Sequence, residues 1–163
     1  MGNYPEILES TLIDEVEKFF RNRFSDKFKH SPDITFETAG CYSSKIAIKS
    51  DKAQGFLSVN ASPKTLKECH PERRYGDEIT KEDLTDWVGE IANRILGNMK
   101  NDLLAMGVET TLNPPVCAHE PYMGEDESVG PLAKFYFSTD KEHICIMLQA
   151  TFADDVKFEK KSA

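Results

Sequence analysis

Asp86, Glu90, Asn93 and Gly97 are spaced four, three and four residues apart. At 3.6 residues per turn that spacing sets all four on one narrow helical stripe. Ile91, Ile95 and Met99 fall on the far side, so the stripe is polar and faces water or a partner. Glu90 brings a negative charge to it. Asn93 brings a neutral amide that both donates and accepts. A glycine inside a helix costs on the order of 1 kcal/mol relative to alanine. Close approach of another molecule is one reason to accept that cost at Gly97. Gly89, at the stripe's edge, fits helix packing instead. No Ser, Cys or His arrangement for a nucleophile accompanies the stripe. The competing reading is a solvated face, because every amphipathic helix has a polar side.

The element carrying these residues is well marked. Thr80 has N-cap chemistry and is followed by Glu82 and Asp83 in the first turn. The helix is predicted over 82–106, with Gly107 as its C′ stop. Leu84, Trp87, Val88, Ile91, Ile95, Leu96, Met99 and Leu103 form its apolar side. A first helix is predicted over 4–24 from Ile7, Leu8, Leu12, Val16, Phe19, Phe20 and Phe24. Ser31-Pro32-Asp33 breaks the chain, and Ile34 to Thr38 alternates like a strand. Strands at 44–50 and 55–61 form a hairpin around Asp51-Lys52. Residues 62–77 are irregular, with one helical turn at 63–68. A strand is expected at 108–112, ended by Asn113-Pro114-Pro115. Residues 118–131 are expected to form a mobile acidic loop. A second hairpin, 133–138 with 143–151, turns at Asp140-Lys141. One domain over 1–156 is expected, with a frayed tail at 157–163.

The two hairpins match without a gap. Lys45, Asp51, Lys52 and Ala61 correspond to Lys134, Asp140, Lys141 and Ala150. The order of a helix then three strands occurs twice, which predicts an internal duplication of that unit. The fold class is therefore α+β, with two long helices on an antiparallel sheet.

Composition narrows the function. The chain has 163 residues and a formal net charge of -8, with 39% hydrophobic and 29% charged residues. That is a globular composition of a size that buries a core without staples. An acidic chain without a clustered basic stretch argues against nucleic acid as partner. No apolar run reaches membrane-spanning length, and the opening MGNYPEILES has no signal-like core. A cytoplasmic location and no membrane partner are expected. Cys41, Cys69, Cys117 and Cys145 lack zinc-knuckle spacing and are expected as reduced thiols; no metal site is expected.

The segment Asp86-Trp87-Val88-Gly89-Glu90-Ile91-Ala92-Asn93 resembles the signature helix of the CheC, CheX and FliY chemotaxis phosphatases. That signature has Asp or Ser, a Glu four later, an Asn three later, and a proline beyond the helix. Asp86, Glu90 and Asn93 keep the spacing; Pro114 or Pro115 is the candidate proline. Ile95-Leu96-Gly97-Asn98 resembles the family's continuation. The match is nearest the single-site CheX branch, since the first helix has no Glu followed three later by Asn.

The resemblance implies a CheC-like fold built from the duplicated unit. It implies a phosphatase acting on the aspartyl phosphate of a CheY-like response regulator receiver domain. Asn93 would enter the receiver site and orient the attacking water, and Glu90 would pair with the receiver's lysine. Asp86 and Gly97 would be partner contacts. The chain would bind no cofactor of its own, the Mg²⁺ being held by the receiver. A homodimer joined at sheet edges is a further implication. The alternatives are a non-catalytic receiver-binding module and a scaffold protein.

Overall fold

The computed structural model describes residues 3–76 and 78–159. The first helix, α1, spans Glu6–Arg21, shorter at both ends than the predicted 4–24. Its leading acids, Glu6 and Glu9, and its trailing Lys18 and Arg21 complement the helix dipole. Leu8, Leu12, Val16, Phe19 and Phe20 are its buried stripe. Beyond it the chain turns, and Phe24 and Phe28 stack in series from Phe20 to Phe137 of the sheet.

Six strands make one antiparallel sheet. They are β1 (Lys29–His30), β2 (Tyr42–Ser50), β3 (Ala53–Ala61), β4 (Val116–Ala118), β5 (Leu132–Ser138) and β6 (His143–Phe152). A short helix, α2 (Pro63–Glu68), follows β3, and the long helix α3 spans Lys81–Ala105. The strand order is β1-β5-β6-β3-β2-β4. Exchanging β1 with β4, β2 with β5 and β3 with β6 returns the same order. The ladders agree as well. Ile46 faces Leu57 as Phe135 faces Ile146, and at the centre Leu57 faces Leu148 as Val59 faces Ile146. This symmetry of order and register is consistent with the expected duplication.

Both hairpins form where the alternation put them. The outer strands do not. Residues 34–38 form no strand; β1 lies earlier, at Lys29–His30, against β5. Phe36 instead stacks on Tyr136, on the outer side of β5, so this segment crosses the sheet rather than extending its edge. Residues 108–112 contribute only an isolated bridge between Thr111 and Lys49. Pro114 and Pro115 lack ladder donors, and pairing with β2 begins only after them, at Val116.

The helices cover one face of the sheet. Ile46, Leu57, Val59, Phe137, Ile144 and Ile146 are fully or almost fully buried beneath them. The other face is covered by the acidic segment 118–131, and this segment is fastened. Asn60 exchanges two hydrogen bonds with the Tyr122 backbone, and the Ser43 hydroxyl donates to the Glu120 carbonyl. Lys45 pairs with Glu125 at 2.5 Å while lying near the Phe56 and Tyr122 rings. That ammonium holds the Glu125 carboxyl below its ordinary range. A loop expected to be mobile is therefore a lid tied to the sheet by buried polar side chains. The tail expected to fray is fastened at its start too. The Lys157 N–H donates to the Met106 carbonyl, and Phe158 meets Phe152 edge-on. Residues 160–163 of that tail lie outside the described residues.

Gln149 is the strongest of these fasteners. It is 2% exposed. Its amide donates to the carbonyls of Glu125, Asp126 and Gly130 and accepts from the Glu125 N–H. Gln149→Leu keeps the volume and removes this partner from the Glu125 N–H and the Glu125 and Gly130 carbonyls, while the Asp126 carbonyl keeps the Val129 N–H. The expected loss is about 1–3 kcal/mol of unfolding free energy by urea titration, with faster amide exchange at Glu125.

Candidate functional site

Helix α3 is set by both its ends and its face. Thr80 and Asp83 form a reciprocal capping box, with bonds of 3.1 and 2.8 Å. Gly107 closes the other end at φ +90°, the left-handed conformation that glycine adopts freely. Leu84, Trp87, Val88, Ile91, Ile95 and Met99 are buried against the sheet and α1. Trp87 does more than fill space: its indole N–H donates to the Cys69 sulfur, and its ring lies beside Phe19 and His70. The Ser44 hydroxyl of β2 donates to the Val88 carbonyl at 2.7 Å.

Gly89 packs closely against Cys117 of β4 and the preceding Pro115. A β-carbon there would stand 2.7 Å from the Cys117 sulfur and 3.2 Å from Pro115 Cγ. Glycine is required at this point by packing, as its place at the stripe's edge suggested. Gly97 differs. A β-carbon there would meet only Leu112, at an ordinary 3.5 Å, so internal packing does not demand the glycine.

This setting turns the stripe outward. Asp86 is exposed, and Glu90, Asn93 and Gly97 are partly exposed. Among the described residues the Asn93 amide has no hydrogen-bond partner, so both its functions are available. Glu90 accepts from Arg94 Nε at 2.7 Å, one turn on. Asp86, Glu90 and Asn93 line one bank of a shallow open groove, and Leu112, Pro114 and Pro115 line the other. Both candidate prolines thus border the groove, and Pro115 is the one against Gly89.

Sequence reasoning placed the four stripe residues and missed their surroundings. Leu112, the Cys117 wedge and Arg94 join the site only through folding, whereas Pro114 and Pro115 came with the family resemblance. Arg94 alone had a local signal, since Glu90 and Arg94 stand four apart on a helix. The cysteines are dispersed. Cys69 and Cys145 are buried, and burial pushes their thiols up to about 11 and about 12. Cys117 wedges on Gly89, its thiol also raised, by partial burial first and then by Asp86. His119 lies apart from it, bonded to Thr85 and against Tyr42. Among the described residues no helix is long and apolar enough to cross a membrane.

An α+β protein with this symmetric sheet, bearing an outward Asp–Glu–Asn stripe on its longest helix, has the CheC-like fold. Solved structures share it, among them the following three. A CheC-like protein from Shewanella sp. PV-4 is 19% identical, covering 91% of this chain and 99% of its own, with a TM-score of 0.73. The chemotaxis protein CheX from Vibrio vulnificus is 18% identical over 90% and 97%, with a TM-score of 0.71. A CheX–CheY–BeF3–Mg complex from Borrelia burgdorferi matches at 16% identity over 87% and 96%, with a TM-score of 0.63. No curated protein sequence matches the chain. The family model of chemotaxis phosphatase CheX matches residues 42–131, more than half the sequence. The chain belongs to the CheX family of chemotaxis phosphatases.

The Gly89 contact is open to a direct test. Alanine raises helix propensity by about 0.5–1 kcal/mol over glycine, so Gly89→Ala on an uncrowded helix would stabilise. Here it is expected to destabilise by about 1–3 kcal/mol, because the methyl overpacks the Cys117 sulfur. In a Cys117→Ala background the same substitution should cost less than half as much. Urea titration of the four proteins closes that cycle.

Proposed function

We propose that this chain removes the phosphoryl group from the active-site aspartate of a CheY-like receiver domain. The observation that carries the reading is Asn93: a partly exposed amide, without a hydrogen-bond partner among the described residues, one turn from Glu90 on an open stripe. Family membership supports it, and so does the Borrelia relative solved with CheY, BeF3 and Mg.

An aspartyl phosphate is a mixed anhydride, and its Mg²⁺ belongs to the receiver. The remaining task is to hold a water in line with the departing carboxylate. Asn93 suits that task, because its amide orients a water through donor and acceptor and brings no charge against the phosphoryl oxygens. The water oxygen bonds to phosphorus, the bond from phosphorus to the aspartate oxygen breaks, and inorganic phosphate leaves. Glu90 anchors the dock by pairing with the receiver lysine, Asp86 is a peripheral contact, and Gly97 lets the partner approach the helix. Such a protein works where receivers are, in the cytoplasm. A homodimer through sheet edges would use β1 or β4, which are two and three residues long.

Asn93→Ala should lower phosphate release from a phosphorylated receiver by about 100-fold or more. Affinity for that receiver should change by less than about threefold, with folding intact by circular dichroism. Equal losses in turnover and affinity would make the protein a receiver-binding module. Glu90→Gln keeps shape and removes charge. It should raise KM about 3- to 10-fold at low salt, with a smaller penalty at high salt where steering is screened. Kinetics at several receiver concentrations and two ionic strengths measure this; wild-type behaviour throughout would remove Glu90 from the site.

A further inference from the structure

The bank of the stripe that faces α1 carries more basic than acidic side chains, in a chain of net charge -8. Arg23, just past α1, and Arg94 of α3 together line two adjoining hollows there, with Asn22 between them. Lys18, His70 and Arg73 border the same hollows, as do the carboxylates Glu15 and Glu68. Arg73 is engaged by Glu68 at 2.8 Å. Arg23 is held without a carboxylate: among the described residues none lies within ion-pair distance of it. Its guanidinium stacks 4.0 Å above the Phe19 ring, 5.8 Å from Trp87, and donates to the Phe19 carbonyl. Stacking fixes the group in place, so little side-chain entropy remains to be lost on binding. Burial, and then the charge of Arg94, hold its pKa below the usual arginine value. Two cations close enough to disfavour each other are costly in a free protein, and an anion between them would relieve that cost. Arg94 uses Nε on Glu90, which leaves its two terminal nitrogens for a second partner.

We propose that Arg23 and Arg94 form a docking point for carboxylates that border the phosphorylated aspartate of the receiver. This rests on the phosphatase reading above. A Mg²⁺ ion beside an aspartyl phosphate needs oxygen ligands, so the substrate's site is rimmed with carboxylates. An acidic chain repels such a surface unless it carries cations where contact is made. Arg94 then changes partner on docking. It gives Glu90 to the receiver lysine and turns to a receiver carboxylate. The exchange conserves ion pairs and keeps Glu90 from meeting the anionic rim unpaired.

The test uses the full chain and a CheY-like receiver phosphorylated by a small phosphodonor. Arg23→Gln and Arg94→Gln are compared with Lys52→Gln, which removes the same charge at the β2–β3 turn. Each arginine variant should raise KM about 3- to 10-fold with kcat within about twofold, and should flatten the salt dependence of kcat/KM. Lys52→Gln should stay near wild type. Arg23→Lys and Arg94→Lys should recover only part of the loss, because lysine keeps the charge but not the stacked, forked guanidinium. Arginine variants indistinguishable from Lys52→Gln overturn the proposal. Arg23→Gln does not touch Glu90, so its effect excludes an indirect one through that residue. If it fails to fold, Arg94→Gln with its lysine rescue decides. If wild type releases no phosphate, the phosphatase reading falls, and affinity for the receiver loaded with beryllofluoride and Mg²⁺ decides the docking separately. Weaker binding by both variants supports it there, whereas unchanged affinity, or no binding by wild type, overturns it.

Discussion

The Cys117 sulfur stands where a side chain at Gly89 would be, and this contact sets how far α3 rolls on the sheet. Successive helical residues differ by about 100° around the axis. A roll of one residue would carry Asn93 toward the wall and bring Ala92 or Arg94 to its place. Three further contacts hold the same setting. Ser44 grips the Val88 carbonyl, Trp87 is pinned to Cys69, and Ile91 and Ile95 are sealed beneath. None of these residues lies on the stripe, yet each decides which side chains a partner meets. The proposed placing of a water by Asn93 would tolerate little displacement, so the roll of the helix belongs to the proposed site as much as Asn93 does.

The stripe was legible because a helix writes its faces into a local period. Asp86, Glu90 and Asn93 needed only 3.6 residues per turn and an apolar counterpart in Ile91 and Ile95. The hairpins were legible for the same reason, at a period of two. The edges were not. Residues 34–38 alternate as a strand does, but a strand also needs an unpaired edge, and Phe36 finds Tyr136 across the sheet instead. Val108 to Leu112 looked like a strand from its own residues. The two prolines after it delay pairing to Val116. The loop after β4 is rich in acids and glycine, and nothing in it foretold Gln149, whose bonds span some 20 residues. Arg23 and Arg94 lie far apart in sequence, so only the packing of α1 on α3 joins them. What sequence could not supply was in each case a partner distant along the chain.

The charges around the stripe form an ordered arrangement. Glu90 lies between an amide on one side and Arg94 on the other. In the free protein the Glu90–Arg94 pair is exposed and i,i+4, so it contributes only about 0.3–0.5 kcal/mol. A pair that weak is easily traded. It keeps the carboxylate in a defined rotamer without committing it, so a lysine in a drier interface can take it over. A buried pair would hold Glu90 too firmly to exchange.

The sheet's two faces divide the work of stability and recognition. Its outer face buries Ser58, Asn60 and Gln149, and the acidic segment supplies partners for Asn60 and Gln149. That segment brings Glu125 to Lys45, so part of the chain's excess negative charge is spent there, away from the stripe. On the helix side Arg23 and Arg94 stand together beside the stripe, among acidic residues that include Glu15, Asp86 and Glu90. A net charge of -8 therefore describes the molecule poorly at the point where a partner would touch it. For the proposed anionic partner, a net negative chain with two arginines beside the stripe would favour approaches that bring its carboxylates to those arginines. With the lid fastened and α3 fixed in roll, the partner meets a surface already in place, and docking orders few side chains of this chain. Rigid setting of one amide, with two arginines beside it, is what this fold would bring to the proposed reaction, in which metal and leaving group belong to the substrate.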